Sequence, residues 1–343
     1  MRTFRRMAGF IAVNVAVAVI LTMILSGTCQ LAALINEARN DKYDTLFLGH
    51  SHGEVGIDPF LASEILGGEA TSCAYRLTPF AYDYYILKEA NKDKHLKRVV
   101  VEIDPTYITG STTKNNQTVG HGLNIFYDLS GINKLEYIKN IMMPRNYNQS
   151  LFDYDIGNLN LKTAKRNITI RKDADYWKRN ESYLKKYDYL IHYTGTYEYK
   201  GRGFSYGLKK VSGGVEYIFD KDKVKDECIE AFDKMVKYCK QNDIELIFTR
   251  WAVTPYRMKN ENPDEVYEYF SELCKKNDVP YYDMNYLKKE YFSKSNDDFI
   301  DNEGHMLGYM AERQTEVLCN ILKSDDKEKY FYTSFDEVME NLE

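Results

Sequence analysis

The chain has 343 residues, 44% of them hydrophobic and 14% aromatic, which is enough apolar material for a full core and too much for a disordered polypeptide. A formal net charge of −5, with Lys and Arg scattered among acids, argues against an electrostatic nucleic-acid binder. Six cysteines without a Cys-x-x-Cys pair imply neither a metal cage nor a readable disulfide framework.

In chain order, Arg2, Arg5 and Arg6 precede an uncharged stretch in which Ala8 to Leu25 is almost wholly apolar. A helix over that stretch rises about 27 Å, near the thickness of a hydrocarbon core. The positive-inside tendency then holds the amino terminus in the cytoplasm and sends the rest outward. The expectation is a basic end and single-pass anchor within 1–36, touching the lipid bilayer through residues 8–25, with an extracytoplasmic domain beyond it. A cleaved signal peptide is the rival, but no clear small-x-small cleavage site follows.

Thr45 to Leu48 reads as a short buried strand. Asp58-Pro59 supplies an N-cap acid and a first-turn proline for a helix that Gly67 or Gly68 closes. Ala70 to Tyr75 is a second strand, and Thr78-Pro79 starts a helix through Ala90. Arg98 to Ile103 is apolar but for Glu102, as in the interior of a parallel sheet. Residues from about 110 to 215 are polar and rich in Tyr, Asn and Lys. They read as a large insertion with one short helix from Ser130 to Lys139. Regular alternation resumes with a helix over 221–240, which carries Cys228 and Cys239 on its apolar face as core thiols. A strand from Ile244 to Phe248, a helix from Asp264 to Lys276, a strand from Val279 to Tyr282 and a helix after His305 follow. The domain so defined spans 43–323, and the charged tail 324–343 is expected at the periphery. Strands alternating with helices make an α/β fold.

The strand ending at Leu48 runs into Gly49-His50-Ser51-His52, which leaves the Ser51 hydroxyl at the carboxyl edge of the sheet, where open α/β sheets bind ligands. Far along the chain, Asp301-Asn302-Glu303-Gly304-His305 precedes the last apolar-periodic segment. An early serine with a late acid and histidine is the order of a Ser/His/Asp hydrolase. The weakly nucleophilic hydroxyl needs an imidazole to take its proton and a carboxylate to fix the tautomer. Ser51 is either that nucleophile or a small residue in a tight turn, and His305 is either its base or a residue preceding a helix. Asp301 is the first choice for the acid, with Glu303 and the strand-end Asp283 as alternatives. Gly49 and His52 are candidates for oxyanion or turn support. Arg250, Trp251 and Asp104, at strand ends, could reach a substrate or serve structural roles. His50 and His52 form a His-x-His pair, but the earlier ligand blocks of a metallophosphoesterase are missing, so no metal and no cofactor is expected.

Leu48-Gly49-His50-Ser51-His52 with Gly56-Ile57-Asp58-Pro59, and His305-Met306-Leu307 followed by Ala311-Glu312, resemble the SGNH (GDSL-type) hydrolase superfamily. Within it they are similar to the membrane-anchored extracytoplasmic branch of Firmicutes that includes the D-alanyl-lipoteichoic acid transfer proteins. The superfamily's Asp-x-x-His block would put its acid at Asn302. The resemblance implies a three-layer α/β/α fold with a mainly parallel, flavodoxin-like sheet. It also implies a serine-dependent acyl esterase or O-acyltransferase acting on an envelope polysaccharide or teichoic-type polymer, with a membrane-bound O-acyltransferase as a possible partner. The alternative is a catalytically silent glycan-binding or scaffold protein on the same fold.

Overall fold

The computed structural model describes residues 2–25, 30–109, 195–214 and 217–342, much of 122–144, and a few positions between 165 and 173. The rest of the insertion lies outside the described residues. The strands are β1 Thr45–Leu48, β2 Ala70–Ser72, β3 Arg98–Glu102, β4 Tyr197–Gly201, β5 Phe204–Gly207, β6 Glu245–Arg250 and β7 Tyr281–Asp283. The helices through the insertion are α1 Arg2–Leu25, α2 Gln30–Ala38, α3 Ser51–Gly56, α4 Pro59–Leu66, α5 Phe80–Ala90, α6 Pro105–Thr109 and α7 Gly131–Tyr137. Beyond it come α8 Asp226–Gln241, α9 Pro255–Asn260, α10 Pro263–Lys276, α11 Gly308–Lys323 and α12 Phe335–Glu340.

Five strands form one sheet in the order β2-β1-β3-β6-β7, every neighbouring pair parallel. Successive side chains of a strand point to opposite faces, and the residues sort accordingly. Leu46, Leu48, Val99, Val101, Leu246 and Phe248 face a core built with α2, α5, α8 and α10. Phe47, Val100 and Ile247 face a second core closed by α4 and α11. Cys228 and Cys239 are buried in the first core as free thiols. Order reverses at β1 and β3, so their carboxyl ends splay apart there and leave room for a ligand.

Local signals explain the boundaries. Asp58 caps α4 through the amides of Phe60 and Leu61, and Gly67 ends it in the left-handed conformation. The insertion contributes an antiparallel hairpin, β4 and β5, which lies against α3 and α11. Its turn also covers an open edge of the sheet, since Ser72 donates its amide to the Arg202 carbonyl at 2.9 Å.

The tail lies mostly at the surface but is tied down: α12 buries Val338, and Phe331 bridges to Leu287 and stacks on Tyr282. Among the described residues no helix is long and apolar enough to cross a membrane. In α1, Met7, Phe10, Ile11, Val13 and Val17 are exposed.

Candidate active site

β1 ends at Leu48, and the chain turns through Gly49 and His50 into α3, whose first residue is Ser51. Gly49 is required by close approach: a Cβ there would lie 2.4 Å from Glu102 Oε2 and 2.6 Å from Glu102 Cβ. Glu102 closes the same turn by accepting the amides of His50 at 3.0 Å and Gly53 at 2.8 Å through one oxygen. One carboxylate at the end of β3 therefore fixes the hydroxyl at the end of β1, across the point where strand order reverses.

The late loop approaches from the other side. His305 Nε2 lies 2.8 Å from Ser51 Oγ, and His305 Nδ1 lies 2.8 Å from Asp301 Oδ2. The second Asp301 oxygen accepts the amides of Glu303 at 3.0 Å and His305 at 3.3 Å, which locks the carboxylate in place. The acid stands four residues before the histidine rather than three. Gly304, at φ +99°, absorbs the extra residue in a conformation that side chains resist. Asn302 points its backbone elsewhere, donating to the Gly213 carbonyl and accepting from Thr254. Asp301 and His305 side chains are 14% and 12% exposed, and Ser51 is partly exposed, so the constellation opens to solvent.

The electrostatics suit a base and its orienting acid. Burial pulls the His305 pKa down, but the hydrogen bond and charge of Asp301 outweigh it and raise it overall. Burial opposes ionisation of Asp301, and the His305 hydrogen bond, charge and backbone amide together outweigh it, holding the carboxyl below its usual range. His52 is different. Burial, then the neighbouring His305, push it down to about 4, so the ring is neutral. It stacks on His305 at 4.7 Å between centroids, and its Nε2 donates to the Glu303 carbonyl at 2.9 Å.

The remaining candidates are distributed as follows. Asp104 is buried beside this group; burial works against its ionisation, but Arg257 and the two histidines hold its pKa far below the usual carboxylate range. Arg250, 1% exposed, faces Asp283 at 3.6 Å in the interior, and Trp251, 3% exposed, packs in the second core. Neither is open to a substrate, because the strand end that carries them is covered by α11 and the Asn285 turn. Asp283 accepts from Asn285 and Tyr281, so it serves this interior network and not His305. Glu303 contributes its backbone: its carbonyl accepts from His52 and from Arg257 Nη1 at 2.7 Å.

Two participants escape sequence reasoning, and a third shows only by position: Glu102 ends the third strand beside Asp104 and can reach the same cleft, but its backbone partners could not be foreseen. Arg257, buried, carries no motif yet steadies the late loop. The buried Glu54 carboxylate is clasped by Arg76 at 2.6 and 3.1 Å and by Ser205 of the insertion hairpin at 3.1 Å, which brings β5 to the site's flank. His50, His52 and Glu102 are the described group able to hold a metal ion, each offering one ligand atom within 4.8 Å of the others.

No family model matches the chain, and no curated protein matches it either. Fold and geometry define an α/β protein with a mainly parallel five-stranded sheet and a serine, histidine and aspartate in hydrogen-bonded series at its carboxyl edge.

Proposed function

We propose that the chain is a serine-dependent acyl esterase or O-acyltransferase of the SGNH hydrolase type, acting on an ester of a cell-envelope glycan or teichoic-type polymer. The observation that carries the reading is the Ser51–His305–Asp301 series, two hydrogen bonds of 2.8 Å each with the imidazole raised in basicity by its acid. The strand order, which is 2-1-3-4-5 once the hairpin is set aside, supports the flavodoxin-like topology expected of that superfamily.

In this mechanism His305 Nε2 takes the Ser51 proton as Oγ attacks the ester carbonyl, and Asp301 stabilises the imidazolium that forms. The backbone amide of Ser51, in the first turn of α3, supplies an oxyanion donor beside the new bond. Collapse of the tetrahedral intermediate breaks the ester C–O bond, and His305 returns the proton to the departing alcohol. The acyl-serine then passes its acyl group to water or to a sugar hydroxyl, with His305 again removing the proton. Transfer to a sugar would be favoured by docking beside a membrane-bound O-acyltransferase that supplies the acyl group. The exposed apolar residues of α1, behind Arg2, Arg5 and Arg6, support an anchor with the domain outside the cell.

The test is labelling by a fluorophosphonate probe, which reacts with activated serines. Wild type should label stoichiometrically and Ser51→Ala not at all. Equal labelling of the two, or none of the wild type, would favour the silent glycan-binding alternative.

A further inference from the structure

Beneath the Ser51 turn three buried ligand atoms converge with no hydrogen between them. His52 Nε2 lies 2.9 Å from the Glu303 carbonyl, which can only accept, so in the neutral ring the proton is on Nε2 and Nδ1 is a bare lone pair. The same reasoning applies to His50. Its Nε2 is 3.5 Å from Thr106 Oγ1, whose own hydrogen goes to Asp104 Oδ1 at 2.5 Å, so the hydroxyl accepts and His50 Nδ1 is bare. Both lone pairs face Glu102 Oε1, at 3.4 Å and 3.5 Å. The other Glu102 oxygen is committed to two backbone amides. Neither His50 Nδ1 nor Glu102 Oε1 has a hydrogen-bond partner, and the two residues are 8% and 1% exposed.

Electron-rich atoms held together away from water repel unless positive charge lies among them. The spacing indicates which charge fits. Ligand atoms about 2.1 Å from a tetrahedral zinc ion stand about 3.4 Å from one another, close to the two separations measured to Glu102 Oε1. Asp104 Oδ2 lies 3.9 Å from His52 Nδ1, outside the group of three, so the fourth position is left for a water or another small ligand. The outer nitrogens add a second agreement, because metal-bound imidazoles usually donate their remaining N–H to a carbonyl or similar acceptor, as both do here. Two imidazoles with a carboxylate suit zinc or a similar transition ion better than magnesium or calcium.

We propose that His50, His52 and Glu102 bind one divalent transition-metal ion of the zinc type under the Ser51 turn. The ion touches no reacting atom. It ties the end of β3 to the turn after β1 and holds His52 against His305, so its role is to position the machinery. The site stands on ligand geometry alone and is independent of the proposed serine chemistry.

The test uses the full chain in detergent, stripped with chelator and titrated with zinc by calorimetry and with cobalt by absorption. One ion per chain with a submicromolar Kd is expected, together with the visible bands of tetrahedral cobalt and no thiolate charge-transfer band. Glu102→Gln and His50→Asn should each weaken zinc at least 100-fold, and Cys319→Ser should leave it unchanged. If a ligand variant fails to fold, the wild-type titration decides alone. Absence of saturable binding, a cobalt spectrum with thiolate bands, or undiminished binding in a folded Glu102→Gln would overturn the site and leave a shared proton in its place. Fluorophosphonate labelling of Ser51 reads the serine chemistry separately, so the two ideas can fail independently.

Discussion

Replacing Asp301 by Asn should be worse than replacing it by Ala, and the reason lies in the two amides that grip the carboxylate. Asp301 Oδ1 accepts from Glu303 N at 3.0 Å and His305 N at 3.3 Å, so that position must stay a carbonyl oxygen in the Asn variant. The side-chain NH2 is then forced into the place of Oδ2, 2.8 Å from His305 Nδ1. It can only donate. The imidazole must accept at Nδ1 and carry its proton on Nε2, where that hydrogen points at Ser51 Oγ and blocks proton removal. The corresponding substitution in a serine protease triad costs about 10⁴-fold in turnover, about 5.4 kcal/mol of barrier at 1.36 kcal/mol per decade. Asp301→Ala removes the charge but leaves the tautomer free, so a loss of about 10²- to 10³-fold is expected, with some melting-temperature cost from two amides left without their acceptor. The assay is the pseudo-first-order rate of fluorophosphonate labelling for wild type and both variants, each checked by thermal melting. Asn equal to or faster than Ala would refute the forced-tautomer reasoning, and Asn within threefold of wild type would refute Asp301 as the orienting acid.

The pH profile follows from the same pair. Only neutral His305 accepts a proton, and Asp301 raises its pKa above the ordinary 6.5, so in chelator-treated protein labelling should climb with pH through a midpoint above 6.5. Asp301→Ala should move that limb to lower pH, and an unchanged midpoint would contradict the assignment. Gly304→Ala places a Cβ at φ +99° and 3.1 Å from Val253 Cα. It should cost about 1–3 kcal/mol in chemical denaturation and slow labelling by displacing His305, whereas a neutral result would show that the loop tolerates another path.

The alternating part of the chain was legible because its signals are local. β1 spans Thr45–Leu48 as read, and α5 ends at Ala90 as read. The proline-opened α4 and the periodic α11 behave likewise, since caps and apolar spacing act within a few residues. The helix expected over 221–240 starts at Asp226, preceded by a separate turn at Lys221–Lys223 that Asp220 caps. Short elements were missed for the opposite reason. α3 is six residues with two glycines, a composition that argues against helix until Glu102 takes the amides of its first turn. The hairpin of β4 and β5 lay hidden in a polar insertion because its partners, Ser72, Glu54 and α11, are more than a hundred residues away in sequence.

The same distinction bears on Arg250 and Trp251, which the sequence allows either to reach a substrate or to serve structural roles. Their position at a strand end is a statement about the backbone, and the carboxyl edge of a sheet is functional only where nothing covers it. At β1 and β3 the reversal of strand order leaves that edge open, and there Ser51, Glu102 and Asp104 gather around the late loop. At β6 the next turn is packed beneath α11, whose Gln314 accepts the Ala252 amide at 2.9 Å and donates to the Gly56 carbonyl at 3.0 Å. One buried amide therefore joins the covered strand end to the helix that carries Ser51. Arg250, sealed below it with Asp283, stabilises the platform, and the charge that meets a substrate has to come from the open side, where the insertion hairpin flanks the serine.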